Sequence, residues 1–147
     1  MSCQFATSLH SPDVLGEDEP LDSPRVRAAA GPGNALAYHA AYEFGGDSTA
    51  PPGGQTLLDA NTAHLRTQRN LAVHDQHLTD LNAADSAAWN AGSWQGITST
   101  TDTGTPHRIR DQLSVYARDG ITEIVYQPTG PDIPGELERF IAIASDL

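Results

Sequence analysis

The clearest alternation of apolar and polar positions lies in the final third of the chain. Ile109, Leu113 and Tyr116 recur at i, i+4 and i+7, one stripe of a helix. Thr105 precedes Pro106, a capping side chain followed by proline at the first helical position, and Asp119-Gly120 ends the segment. Ile124-Val125-Tyr126 is a continuous apolar run inside residues 121–127, the composition of a parallel strand covered on both faces. Thr129-Gly130-Pro131-Asp132 turns the chain, and Leu137, Phe140, Ile141 and Ala144 mark a closing amphipathic helix. Helix, buried strand, helix is the local grammar of an α/β fold.

Upstream the pattern is weaker. Asp22-Ser23-Pro24 reads as a helix start, and residues 25–30 continue it as a short helix. Gly31-Pro32-Gly33 predicts a break, after which residues 34–44 form an Ala-rich helix with Leu36, His39, Ala40 and Glu43 on one face and Gly45-Gly46 as its stop. Residues 47–54 read as a Pro/Gly loop and 55–66 as a helix with Leu57, Leu58 and Leu65 on one side. Residues 71–74 are a short candidate strand, 85–90 one or two helical turns, and 92–96 a loop. Residues 1–22, with the acidic turn Gly16-Glu17-Asp18-Glu19-Pro20, read as a flexible lead-in, leaving 23–147 as the folded part.

Composition then excludes several classes. The chain has 147 residues, the size of one ordinary domain, and no apolar run long enough for a membrane helix. Nineteen acidic residues against eight cations, all arginine, give a net charge of −11. Such a chain offers no basic stripe for nucleic acid or for an anionic membrane. Cys3 is the single cysteine, so no internal disulfide forms, and a reducing, cytoplasmic setting is expected.

His74 and His77, three apart, have a spacing that metal sites use, but a third ligand and a suitable element are needed; with residues 71–74 a strand, His77 lies in the loop after it and the two need not converge, so no metal site is expected. A strand-end site is the better use: in parallel sheets ligands collect at the C-terminal ends of strands, where His74, His77 and Gln127 would lie. Thr103-Gly104-Thr105 opens a helix whose free N–H groups suit an anion, although a plain helix cap explains the same residues. Neither a dinucleotide fingerprint nor a P-loop nor a nucleophile elbow occurs, and no residue stands out as a catalytic acid or base. His64 reads as a surface residue, and Trp89, Trp94 and the pair His39 and Tyr42 as packing.

Several ordered segments resemble one family. Asp22-Ser23-Pro24-Arg25-Val26-Arg27-Ala28-Ala29-Ala30-Gly31-Pro32 and Tyr38-His39-Ala40-Ala41-Tyr42-Glu43 look like the C-terminal half of the luciferase-like flavin-dependent oxidoreductases. Leu71-Ala72-Val73-His74 through Leu81-Asn82 is similar to a later strand and loop, and Thr103-Gly104-Thr105-Pro106 to the penultimate crossover. Ile124-Val125-Tyr126-Gln127-Pro128-Thr129-Gly130-Pro131-Asp132-Ile133-Pro134 resembles the last strand and the approach to the closing helix.

The resemblance implies the C-terminal part of a (β/α)₈ TIM barrel that binds FMN or a deazaflavin and acts as a small-molecule oxidoreductase or monooxygenase. Some members bind methylene-tetrahydromethanopterin-type substrates. His74, His77, Gly104, Thr105 and Gln127 are then the expected cofactor contacts, placed by their strand-end and helix-start positions. A complete barrel takes about 250 residues, so the family's first half has no counterpart in this chain. That leaves three expectations open: a flavin enzyme that works as an oligomer or with a complementary barrel half, a non-catalytic barrel-half remnant or partner-binding subunit, or a small acidic α/β domain unrelated to flavin.

Overall fold

The computed structural model describes residues 13–44 and 52–145, together with the backbone of residues 7–10. Cys3 and most of the 47–54 loop lie outside the described residues. Two short strands, β1 (Thr7–His10) and β2 (Glu123–Tyr126), pair in parallel with Thr7 opposite Glu123 and His10 opposite Tyr126. Val14 then makes a parallel bridge to Gly104, with Leu15 N–H donating to the Gly104 carbonyl at 3.0 Å and Gly104 N–H to the Asp13 carbonyl at 3.1 Å. Within the stretch read as a lead-in, Asp13, Val14 and Leu15 are thus buried.

Among the described residues the other regular structure is helical: α1 (Pro24–Phe44), α2 (Gly54–Thr62), α3 (Arg69–Val73), α4 (Ala83–Asn90), a 3-10 turn (Ser93–Gly96), α5 (Ile97–Thr100), α6 (Pro106–Arg118) and α7 (Ile133–Ala144). This overturns the expected partial TIM barrel. Half of an eight-stranded barrel needs a run of strands with crossover helices between them, and the described residues carry one two-stranded parallel pair. Residues 71–74, expected to be a strand, belong mostly to α3. A four-residue apolar run does not distinguish the two periods. Here Val73 is fully buried while Leu71 is 77% exposed.

Helix α1 runs straight through the predicted break. Ser23 caps it by accepting the Val26 N–H at 3.1 Å. Pro32 removes one helical donor, but tertiary packing holds the segment. A Cβ on Gly31 would come within 3.1 Å of the Leu81 side chain, so this position takes the close approach of a neighbour. Gly130, at a φ of +88°, lies against the Ala28 carbonyl, and the Thr129 hydroxyl donates to the Ala29 carbonyl.

The apolar core is divided among three clusters. Val14, Ile109, Leu113, Phe140 and Ile143 join the bridge region to α6 and α7. Leu15, Val26, Ala30, Trp89 and Ile97 join α1, α4 and α5, and Tyr38, Leu57, Val73, Ala84 and Ala88 join α1 to α2, α3 and α4. Trp89 is therefore packing, as expected, with Trp94 against it. Two sequence expectations about burial are corrected. Strand β2 is not covered on both faces, since Val125 is 44% exposed. Helix α7 buries Glu136, Phe140 and Ile143, leaving Leu137 and Ile141 outside. A charged residue, Glu136, sets that rotation.

Glu136 faces inward because Arg25 meets it. One guanidinium serves three carboxylates: Nη1 donates to Asp13 Oδ1 at 2.7 Å and to Glu136 at 2.8 Å, and Nη2 donates to Glu19 at 2.5 Å and to the Val14 carbonyl at 3.1 Å. Asp13 and Glu136 are 2% and 3% exposed, so removing the cation strands two buried carboxylates. Burial pushes the Asp13 carboxyl up to about 6, against the pull of Arg25, whereas hydrogen bonding to Arg25 holds exposed-side Glu19 down at about 2.

Replacing Arg25 by Met is expected to cost about 3–5 kcal/mol in urea unfolding, and adding Glu136→Gln to that variant to restore part of the loss. Full additivity of the two costs would contradict the network. The folded chain binds the Asp13 proton more tightly than the unfolded chain. Its contribution to stability is therefore complete below the unfolded value and lost as the pH rises toward about 6. Thermal melts of Asp13→Asn should lack that fall between about pH 4 and 6 relative to the native chain.

Candidate functional site

Three histidines from two separate parts of the chain meet at one point. His39 sits on α1, His74 follows the last residue of α3, and His77 lies in the turn beyond it. Their Nδ1 atoms converge: His39 to His77 at 3.3 Å and His74 to His77 at 3.4 Å, with one ligand atom of each ring lying within 4.8 Å of the others. The far nitrogen of two rings is engaged by a carboxylate. His39 Nε2 bonds Asp85 Oδ1 at 2.8 Å, and His74 Nε2 bonds Glu43 Oε1 at 2.7 Å. A carboxylate accepts, so each of these nitrogens carries a proton, and in the neutral imidazole each Nδ1 presents its lone pair toward the centre.

The sequence builds this arrangement through Asn82. Its side-chain oxygen caps α4 by accepting the N–H groups of Ala84 and Asp85 at 2.8 and 2.9 Å, while Asp85 Oδ2 accepts the Asn82 N–H in return. Its amide nitrogen donates to the carbonyls of Ala72, Val73 and Asp75 at 3.1–3.3 Å. One residue thus joins the helix that carries Asp85 to the segment that carries His74 and His77. The turn itself is costly. Gln76 and Leu78, on either side of His77, hold φ of 57° and 63°, a region that costs a non-glycine residue of order 1–3 kcal/mol.

The five expected contact residues fall in different places. His74 and His77 come together, with His39 as a third member. Gly104 is buried at the bridge to Val14, and the Arg108 stem lies over it, since a Cβ there would meet Arg108 Cδ at 2.6 Å. Thr105 caps α6 by accepting the Arg108 N–H at 3.3 Å. Gln127, just past β2, lines a cleft of about 450 Å³ with Leu36, Leu78, Thr101, Arg108 and Gln112. The three histidines are not among the walls of that cleft. A second cleft, of about 640 Å³, lies between Arg27, Asp22, Asp80, Trp89 and Trp94.

Sequence reasoning did not reach His39, Asp85 or Glu43 as parts of one site. His39 and Glu43 share a helix face at i, i+4, which was visible, but nothing local tied that face to His74. His64 is exposed, as expected. Among the described residues no helix is long and apolar enough to cross a membrane.

The described residues thus form a mostly helical fold with one parallel strand pair and a tri-histidine cluster, two of whose rings are backed by carboxylates. Comparison with protein-family models, curated proteins and solved structures finds no match to this chain. The likeness to the luciferase-like oxidoreductases rests on the residues quoted for it.

Asn82→Asp keeps a capping oxygen but loses the amide donors and turns a carboxylate toward three carbonyls. It is expected to destabilise the chain by about 2 kcal/mol in urea unfolding. A stability equal to that of the native chain would show that the amide bridge does not hold the histidine segment.

Proposed function

We propose that the chain binds a flavin or deazaflavin in the cleft beside Gln127 and serves small-molecule oxidation or reduction of the luciferase-like kind. The observation that carries this reading is the lining of that cleft. It combines apolar Leu36 and Leu78, which suit the face of a tricyclic ring, with the amides of Gln112 and Gln127, which suit its polar edge. Arg108 supplies one cation for a phosphate or phosphate-bearing tail. The volume of about 450 Å³ falls within the usual range for small-molecule sites. The favoured cleft pairs Arg108 with one carboxylate, Asp102, whereas in the larger cleft two carboxylates, Asp22 and Asp80, face one cation, Arg27, which suits an anionic cofactor less.

When bound, the flavin would supply the redox chemistry. Leu36 and Leu78 would contact its apolar ring, the amides of Gln127 and Gln112 would meet its polar groups, and Arg108 would hold a phosphate-bearing tail. Arg108 is held for that task, since its Nη2 donates to the Thr98 carbonyl at 2.6 Å. A reducing, cytoplasmic setting belongs to the same reading and is supported by the single cysteine.

Fluorescence titration of the purified chain with FMN and with a deazaflavin tests this directly. Saturable binding of one cofactor per chain is expected, weakened about tenfold by Arg108→Ala, which is roughly 1.4 kcal/mol. A folded chain that binds neither cofactor would overturn the reading.

A further inference from the structure

We propose that His39, His74 and His77 form a zinc site with one coordination position open to solvent. The inference is independent of the flavin reading and rests on four features of the cluster.

The first is distance. Zinc holds imidazole nitrogen at about 2.0–2.1 Å with tetrahedral geometry, which places neighbouring ligand nitrogens about 3.3 Å apart. The Nδ1 atoms of His39 and His77 are 3.3 Å apart, and those of His74 and His77 are 3.4 Å apart. Square-planar coordination at the same bond length would need about 2.9 Å between adjacent nitrogens. Both separations match adjacent corners of a tetrahedral zinc site.

The second is protonation. The carboxylates of Asp85 and Glu43 keep the proton on the far nitrogen of His39 and His74, so two lone pairs face the centre. His77 has a single Nδ1 position facing both. One N–H there cannot serve two lone pairs well, whereas a cation on the centre satisfies all three rings.

The third is the outer layer. Metal-bound histidine nearly always passes its other N–H to a carboxylate or carbonyl, which fixes the ring and raises its basicity. Two of the three rings already have that partner, one of them the buried Asp85, itself held by the α4 cap. The all-nitrogen donor set also excludes calcium and magnesium, which take oxygen ligands.

The fourth is exposure. His39 is buried, His74 half-buried and His77 exposed, so the cluster opens to solvent on the His77 side. Water or a small anion can complete the tetrahedron there.

The test is isothermal titration of the full chain, free of any affinity tag and stripped with EDTA, with zinc chloride. Cobalt(II) serves as a spectroscopic stand-in. One zinc per chain is expected, with the intense visible bands of four-coordinate cobalt and a rise in Tm on loading. Because His77 is exposed, His77→Ala should fold normally by circular dichroism, yet bind zinc about a hundredfold more weakly or worse. His64→Ala, a change at an exposed histidine outside the cluster, should bind as the native chain does. Absence of zinc binding by the native chain, or a loss of less than tenfold in His77→Ala, would overturn the site.

Discussion

The Arg25 guanidinium is the contact on which the arrangement of the chain depends. It gathers Asp13, Glu19 and Glu136 and the Val14 carbonyl, and so ties the first strand region, the start of α1 and the inner face of α7 to one point. Burial pushes the Asp13 carboxyl up to about 6 against the pull of Arg25, with a smaller push from the Glu136 charge beside it. The network also explains the rotation of α7. Satisfying Glu136 places Phe140 and Ile143 inside and leaves the Leu137 and Ile141 side in water.

Helix α1 carries that fixed point to the histidines. Arg25 and His39 are 14 residues apart on one uninterrupted helix, about 21 Å along its axis. The helix therefore places His39 and Glu43 at a set distance from the network. At the other side of the cluster, Asn82 and Asp85 belong to one capping box that also grips the segment ahead of His74. The site is thus built from two pieces of secondary structure with independent anchors, and only the turn around His77 departs from comfortable backbone geometry.

Much of the final third was legible in the sequence. The Thr105 cap, Pro106, the Ile109–Leu113 stripe and the β2 run stand in the structure where local rules put them. What failed was long-range. Gly31-Pro32-Gly33 is a strong local breaker, but contacts from Leu81 and from the Thr129-Gly130 turn keep the helix whole. The 71–74 run fits either period, and its helix is held by an amide from Asn82, eight residues beyond His74 in sequence. The expected barrel followed from counting that run as a strand and from the family likeness. His74 and His77 were visible as a pair, but their third member lies 35 residues upstream of His74, on a helix that local signals cut in two. No spacing rule reaches across that gap.

Two carboxylates orient His39 and His74 so that their Nδ1 atoms, together with that of His77, face one point, the proposed zinc position. Long-range proton–nitrogen NMR spectra of the assigned histidine rings test it most directly. Nε2–H tautomers are expected for His39 and His74 in the metal-free chain. Zinc should shift the Nδ1 resonances of His39, His74 and His77 together while leaving His64 and His107 unmoved. Nδ1–H tautomers at His39 and His74, or a zinc response confined to the exposed histidines outside the cluster, would contradict it.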